Sequence, residues 1–436
     1  MIKTEEFKKR RQQLMKRVGE DAVIILKSRD DMLRNGDAQY RYRQDSDFYY
    51  LTGFNEPDAL LVLLTGDKSH SEILFCREKD PDKMIWDGPM VGTEDAMSAF
   101  GFDQAFDVKE ADQRIPLLMQ DRERLVFKLG EHEQFDHKIS GWVRNIEQRK
   151  GQKSRAPEEF VSINPMLHDM RVYKSPAEIQ CLKKSVDIAV KAHERMMRFC
   201  QPGLCEYDLQ AEYMHELTRQ QSEPSYLPII GGGANACILH YINNNQQLKD
   251  GDLVLIDAGA EYDYYASDIT RTFPVNGRFS ARQRDLYEVV LQAQKDAIAT
   301  VKPGNPWNQP HEAAVKTLSQ GLLDLGILRG TLQQVLEEKL YRQYYMHMTG
   351  HWLGLDVHDC GDYQVDDLWI ELEKDMVLTI EPALYIGPDS DAPEVWRGMG
   401  IRIEDDILVT AKGHQVLSSG IVKEIDDIEH IMRPLH

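Results

Sequence analysis

Short apolar bursts alternate with amphipathic stretches over the first 170 or so residues, and the bursts Ala22 to Leu26, Ala59 to Leu64, Ile73 to Cys76 and Leu125 to Leu129 read as strands. This alternation predicts an α/β domain. Between the first two strands runs Tyr40-Arg41-Tyr42-Arg43-Gln44-Asp45-Ser46-Asp47-Phe48-Tyr49-Tyr50-Leu51-Thr52-Gly53-Phe54, too dense in aromatic and polar residues for a simple linker, and it is expected to pack at a domain or subunit boundary. A helix start follows at Ser175-Pro176-Ala177-Glu178, with Ser as N-cap, Pro at the first helical position and Glu where a capping box needs it. That helix should run to about Cys200 and stop at Pro202-Gly203, with Pro165 to Lys174 as the connection before it. Two domains are therefore expected, 1–172 and 173–436.

Beyond this point the period changes again. Tyr207 to Gln220 and Ala281 to Val301 read as helices, whereas Asp252 to Asp257, Thr270 to Val275, Met376 to Ile380 and Ile401 to Val409 read as strands. Late strands pairing antiparallel, with helices outside, predict an α+β second domain. A chain of 436 residues is long enough for two cores.

A net charge of −20 argues against a nucleic-acid partner, which needs clustered Lys and Arg. The opening residues, Met1 to Arg10, carry no apolar signal-type core, and no run of about 18 apolar residues occurs, so a cytoplasmic protein without a membrane segment is expected. The six cysteines are scattered without a CxxC pair, which predicts reduced and mostly buried thiols.

Five residues carry the candidate chemistry. Asp257 ends the apolar run Leu253-Val254-Leu255-Ile256, and Asp268 follows eleven residues later, so a hairpin through Tyr262-Asp263-Tyr264-Tyr265 would bring both to one end of a sheet. An isolated Asp pair in a hairpin is usually turn-capping. Here the strand before Asp257 is wholly apolar, so a buried, paired or metal-bound carboxylate is expected. His347, His351 and His358 fall within twelve residues, interleaved with glycine and apolar residues, and imidazole both binds metals and carries protons near neutral pH. Glu381 follows a strand and precedes Pro382, while Glu404 alternates with Arg402 in Gly400-Ile401-Arg402-Ile403-Glu404. Asp257, Asp268, His351, Glu381 and Glu404 together read as a dinuclear site, because four carboxylates balance two divalent cations. Oxygen-rich ligation with one imidazole suits Mn²⁺, with Co²⁺, Fe²⁺, Mg²⁺ or Zn²⁺ as alternatives, and a hydroxide held between the ions would be the nucleophile.

These residues, in this order and context, resemble the creatinase or pita-bread metallopeptidases. The closer resemblance is to the aminopeptidase P family, carried by the Tyr40 to Phe54 segment, Gly350 to Asp359, Thr379-Ile380-Glu381-Pro382 and Gly400 to Asp406, over nearly the whole chain. The resemblance implies that Asp257 binds one ion, His351 and Glu381 the other, and that Asp268 and Glu404 bridge them. It also makes His240 a substrate contact and proton carrier, His358 a holder of the scissile carbonyl, His347 a wall of the proline pocket and Arg402 a charged support behind the carboxylates. Asp37 and Trp86 match residues that the family contributes to the peptide cleft across a subunit contact.

The implied activity is removal of the N-terminal residue from peptides with proline second, in a homo-oligomer, a tetramer built from dimers. A prolidase acting only on X-Pro dipeptides shares all five ligands, and the fold also serves as a non-catalytic peptide-binding module and as metal-free creatinase. The chain departs from the family pattern at Ala383, where glycine is usual after Glu-Pro, and over Asp366-Asp367-Leu368-Trp369-Ile370, where bacterial relatives tend to carry an arginine.

Overall fold

The computed structural model describes residues 2–66, 71–148 and 154–433. The chain divides into two compact units between Met170 and Arg171. The N-terminal unit is built on a six-stranded mixed sheet in the order Gln104–Asp107, Glu72–Cys76, Leu60–Leu64, Ala22–Lys27, Arg124–Phe127, Glu159–Ser162. Leu60–Leu64 is buried along its whole length and its neighbour Ala22–Lys27 up to Lys27, as expected of a sheet covered on both faces. Ala22–Lys27 pairs antiparallel with Leu60–Leu64 (Ile25 opposite Val62) and parallel with Arg124–Phe127 (Ile24 opposite Val126).

The dense aromatic segment contains the helix Ser46–Thr52, all seven residues of which are buried, capped where the Asp45 side chain accepts a hydrogen bond from Phe48 N. Gly53 ends it at φ 66°, a left-handed conformation that glycine adopts without a Cβ clash. It packs on the helix Thr4–Val18 through an edge-on contact of Phe7 with Tyr49 and a cation–π contact of Arg10 over the Tyr50 ring at 4.1 Å. The helix Ser46–Thr52 is thus built into the core of its own unit, while Tyr40 and Arg41 at the start of the segment are exposed.

The second unit starts from the expected cap. Ser175 N donates to Glu178 Oε2 at 2.9 Å and Glu178 N to Ser175 Oγ at 3.4 Å, opening the helix Pro176–Phe199. The stretch ahead of it holds the helix Asn164–Val172, within which the division between the two units falls. Three three-stranded antiparallel sheets follow among the described residues: Ile229–Gly232 with Leu253–Asp257 and Thr270–Pro274; Glu223–Pro224 with Ala260–Tyr262 and Tyr265–Ala266; and Val377–Ile380 with Asp405–Thr410 and Gly413–Val416. The two-stranded ribbon Ala383–Ile386 with Met399–Arg402 is antiparallel as well. Helices Pro176–Phe199, Glu206–Arg219, Ala281–Thr300 and Gln309–Asp324 accompany them, and one core joins Met196, Tyr213, Ile256, Phe273, Tyr287 and Ile401. This is the expected α+β arrangement.

One expected strand is broken. Ile401 to Val409 is two strands, Met399–Arg402 and Asp405–Thr410, because the first pairs with Ala383–Ile386 and the second with Val377–Ile380. Ile403 and Glu404 form the step between them, and Glu404 N donates instead to Thr270 O at 3.1 Å. Cys76, Cys181 and Cys200 are buried, and Cys205, Cys237 and Cys360 are half-buried.

Candidate active site

Antiparallel pairing sets Asp257 opposite Thr270, so Asp257 closes one strand while Asp268 sits just before the next. Between them a second small hairpin turns at Asp263 and Tyr264, both at positive φ. The turn after Asp257 is held from behind by three buried side chains. His193 Nε2 donates to Ala258 O at 2.8 Å, Tyr213 OH to Gly259 O at 2.5 Å and Ser185 Oγ to Ala260 O at 2.5 Å. Gly259 is required by close approach, since a Cβ there would lie 1.7 Å from Ser267 O.

His351 and Glu381 reach the same place from a neighbouring edge. Residues 349–353 run beside Val377–Ile380, with Glu381 N donating to Thr349 O at 2.7 Å, Thr379 N to His351 O at 3.0 Å and Leu353 N to Val377 O at 3.1 Å. His351 Nδ1 donates to Trp352 O at 2.9 Å, which leaves Nε2 facing Asp268 Oδ2 at 3.3 Å and Glu381 Oε1 at 3.8 Å. Ligand atoms of Asp268, His351 and Glu404 all lie within 4.8 Å of one another.

Around these groups lies a cavity of about 410 Å³, lined by Leu239, His240, Asp257, Asp268, His347, Met348, Gly350, His351, His358, Tyr363, Glu381, Tyr385, Arg402 and Glu404. It brings together every expected site residue of the second unit. Asp37 and Trp86 belong to the N-terminal unit; Asp37 lies in the turn between Leu33–Asn35 and Ala38–Gln39, and Trp86 is 87% exposed.

Several contacts that complete the site carry no sequence signal. Tyr226 OH lies between Asp257 Oδ1 and Asp268 Oδ1, 2.5 Å from the latter, and its single proton can serve only one at a time. Arg402 is a buried hub: Nη2 donates to Asp257 Oδ2, Nη1 to Tyr385 OH at 2.6 Å and Nε to Thr270 Oγ1 at 3.0 Å. Thr270 Oγ1 in turn donates to Glu404 Oε2 at 2.7 Å. His347 Nδ1 donates to Met348 O at 2.7 Å, so its Nε2 accepts from Tyr385 OH at 3.0 Å. His358 meets the His351 ring edge-on at 4.3 Å.

The electrostatics of this cluster are those of too many acids in too little water. Burial, then neighbouring carboxylates, push Glu404 well above the usual range. Burial lifts Glu381 to about 7 and Asp257 to about 6 despite Arg402. Asp268 goes the other way: burial raises it, but its hydrogen bond and charge pairing with His351 outweigh that. Burial holds His347 down to about 4 and lowers His358. Four acids face one guanidinium and a set of imidazoles, burial and then mutual repulsion raise three of them, and Asp268, His351 and Glu404 among them form a group that could hold a metal ion.

Known proteins agree with that chemistry. Residues 180–411 match metallopeptidase family M24, and residues 7–127 match the aminopeptidase P N-terminal domain. The Xaa-Pro aminopeptidase of Escherichia coli K12 is 41% identical, over 99% of this chain and 98% of its own. The structure of Pseudomonas aeruginosa aminopeptidase PepP superposes with a TM-score of 0.98 at 43% identity, covering 99% of this chain and 98% of that one. Zinc-substituted E. coli aminopeptidase P in complex with product matches with a TM-score of 0.96 at 41% identity, over 99% and 98% of the two chains. No described helix is long and apolar enough to cross a membrane. The chain is a hydrolase of metallopeptidase family M24, with a pita-bread catalytic domain preceded by an aminopeptidase P N-terminal domain.

Proposed function

We propose that the protein is an Xaa-Pro aminopeptidase, releasing the first residue of peptides whose second residue is proline. The observation that carries this is the cavity itself, where five metal-type donors share one wall system with three histidines, Tyr385, Leu239 and Met348. Proline offers no amide N–H, so an enzyme that grips substrate as a β-strand handles an X-Pro bond poorly and must recognise other features. The imidazoles and aromatic rings supply a wall for the pyrrolidine ring, and the carboxylates a site for the free α-amine.

Asp257, Asp268, His351, Glu381 and Glu404 would hold two divalent cations, for which we favour manganese on the oxygen-rich donor set. When bound, such a pair polarises the scissile carbonyl and activates a water molecule. The chain does the rest. Arg402 fixes Asp257 and, through Thr270, Glu404. His347, anchored by Met348 O and Tyr385, presents a fixed ring face to the proline. His240 contacts the substrate and aids proton transfer, His358 helps hold the scissile carbonyl, and Glu381 or a nearby histidine returns a proton to the departing proline nitrogen.

We assign to the N-terminal domain, residues 1–172, the assembly of a homo-oligomer, a tetramer built from dimers, in which Asp37 and Trp86 help cover a peptide cleft. The exposed Trp86, Ile85, Met32 and Leu33 support an interface there. A cytoplasmic setting is supported by the scattered cysteines, none in a CxxC pair, and the net charge of −20. Hydrolysis of Ala-Pro-Ala measured beside Ala-Pro tests the reading. Cleavage of the tripeptide is expected, and activity on the dipeptide alone would overturn it in favour of a prolidase.

A further inference from the structure

Behind the loop that joins His351 to His358 lies a buried group of charges that the chemistry above does not use. The Asp359 side chain is 1% exposed and is gripped from two sides, by Arg171 Nη2 at 2.5 Å on Oδ1 and by Lys174 Nζ at 3.1 Å on Oδ2. The Lys174 side chain is also 1% exposed. Arg171 Nη2 donates as well to Asp356 Oδ2 at 2.7 Å, and Lys174 Nζ to Val172 O at 3.3 Å. Asp356 is partly exposed, at 42%, but burying the Arg171, Lys174 and Asp359 side chains is costly, and apolar side chains of the same volume would serve stability as well or better. The arrangement therefore calls for a role in holding geometry.

The backbone indicates which geometry. Asp359 N donates to Trp352 O at 2.9 Å, and this is the same carbonyl that receives His351 Nδ1–H at 2.9 Å. A Cβ at position 354 would come within 2.1 Å of Asp359 Oδ2 and 3.0 Å of Lys174 Cε, so glycine there is what lets the carboxylate and its lysine pass against the loop. Gly354 O then accepts from Ala266 N at 2.9 Å, tying the loop to the segment that carries Asp268. His358 is the residue directly before the anchored Asp359.

We propose that Asp359, held by Arg171 and Lys174, is a positioning residue for the reaction. It fixes the Trp352 carbonyl that sets the His351 ring, and the backbone from which His358 projects, so that one buried carboxylate aligns a proposed metal ligand and a proposed substrate contact together. This inference rests on the X-Pro aminopeptidase reading for its catalytic half only.

Asp359→Asn keeps the side-chain shape and removes the charge. The variant is expected to lower kcat on Ala-Pro-Ala about 10- to 100-fold at saturating Mn²⁺, with KM changed by less than about threefold. Titration of Mn²⁺ alone onto the metal-free variant, followed by calorimetry, should give a Kd raised about tenfold or more. If the cluster were merely structural, thermal stability would fall while kcat per metal-loaded site and the Mn²⁺ Kd stayed within about twofold of the parent, and that result would overturn the proposal. Should Asp359→Asn not fold, Lys174→Gln, which leaves the Arg171 grip in place, is read by the same two measurements. A parent enzyme inactive on Ala-Pro-Ala would count against the proposed function, whereas the Mn²⁺ titration still decides the positioning role.

Discussion

Glu404 shows how much a single residue at this site depends on what surrounds it. Alone it would be a solvated strand end; here it is 2% exposed, accepts from Thr270 Oγ1 at 2.7 Å and sits among acids that raise its pKa. Glu404→Gln keeps the volume and an oxygen for Thr270 but removes the charge that a cation needs. Hydrolysis of Ala-Pro-Ala should fall by about 100-fold or more, beyond the roughly 10- to 100-fold typical of residues behind the ligands, with an unchanged far-ultraviolet spectrum. Undiminished activity would refute the ligand assignment. Asp257 and Glu381 were legible in the sequence because each follows an apolar run, where a charge must have a partner, Asp268 through its hairpin spacing from Asp257, and Glu404 through its alternation with Arg402. Tyr226 was not, since Ser225-Tyr226-Leu227-Pro228 has no periodicity or spacing that separates a phenol between two carboxylates from any other tyrosine. The link from Arg402 through Tyr385 to His347 was hidden for the same reason, as only the fold brings positions 17 and 38 residues away from Tyr385 to its hydroxyl.

At the level of elements, caps and periodicity located most helices and strands, whereas the choice of partner strand stayed out of reach. Ile401 to Val409 contains no Gly or Pro, and its acidic run Glu404-Asp405-Asp406 does not by itself say that the chain changes partner strand at Ile403 and Glu404. The helix Pro176–Phe199 illustrates the converse, a strongly signalled element with an unsignalled duty. Its His193 is fully buried and holds the Ala258 carbonyl beside Asp257, and burial keeps its pKa down to about 4. A histidine titrating near 6.5 when unfolded and near 4 when folded binds more protons in the unfolded chain between those values. The stability from keeping it neutral is therefore fully present above about pH 6.5 and is lost as pH falls toward 4, at a limiting slope of about 1.4 kcal/mol per pH unit. His193→Gln can still donate to Ala258 O but does not titrate. Urea midpoints measured between pH 4 and 7 should decline less steeply for this variant than for the parent, and identical slopes would mean that His193 is not held neutral. His311, also held down to about 4 by burial, contributes the same sign of slope in both proteins.

For the molecule as a whole, the catalytic unit folds around a concentration of charge that it cannot satisfy alone. Asp257, Asp268, Glu381 and Glu404 line one cavity with Arg402 as the permanent cation among its lining residues, and burial and repulsion act against ionising three of the four. Cations that bind the folded site and not the unfolded chain must then stabilise it by mass action, about 2.7 kcal/mol at a hundredfold excess over Kd. For a unit of this size that corresponds to a Tm raised by about 5 to 10 °C. Chelator-treated protein scanned calorimetrically with increasing Mn²⁺ should show this rise, with the larger part of it removed by Glu404→Gln. The ligands must be deprotonated to bind, so the stabilisation should also shrink as pH is lowered from 7 to 5. A Tm that ignores Mn²⁺ at every pH, in protein that still cleaves Ala-Pro-Ala after chelation, would mean that these carboxylates are not held apart by metal and that the charge balance which first singled them out is met in some other way.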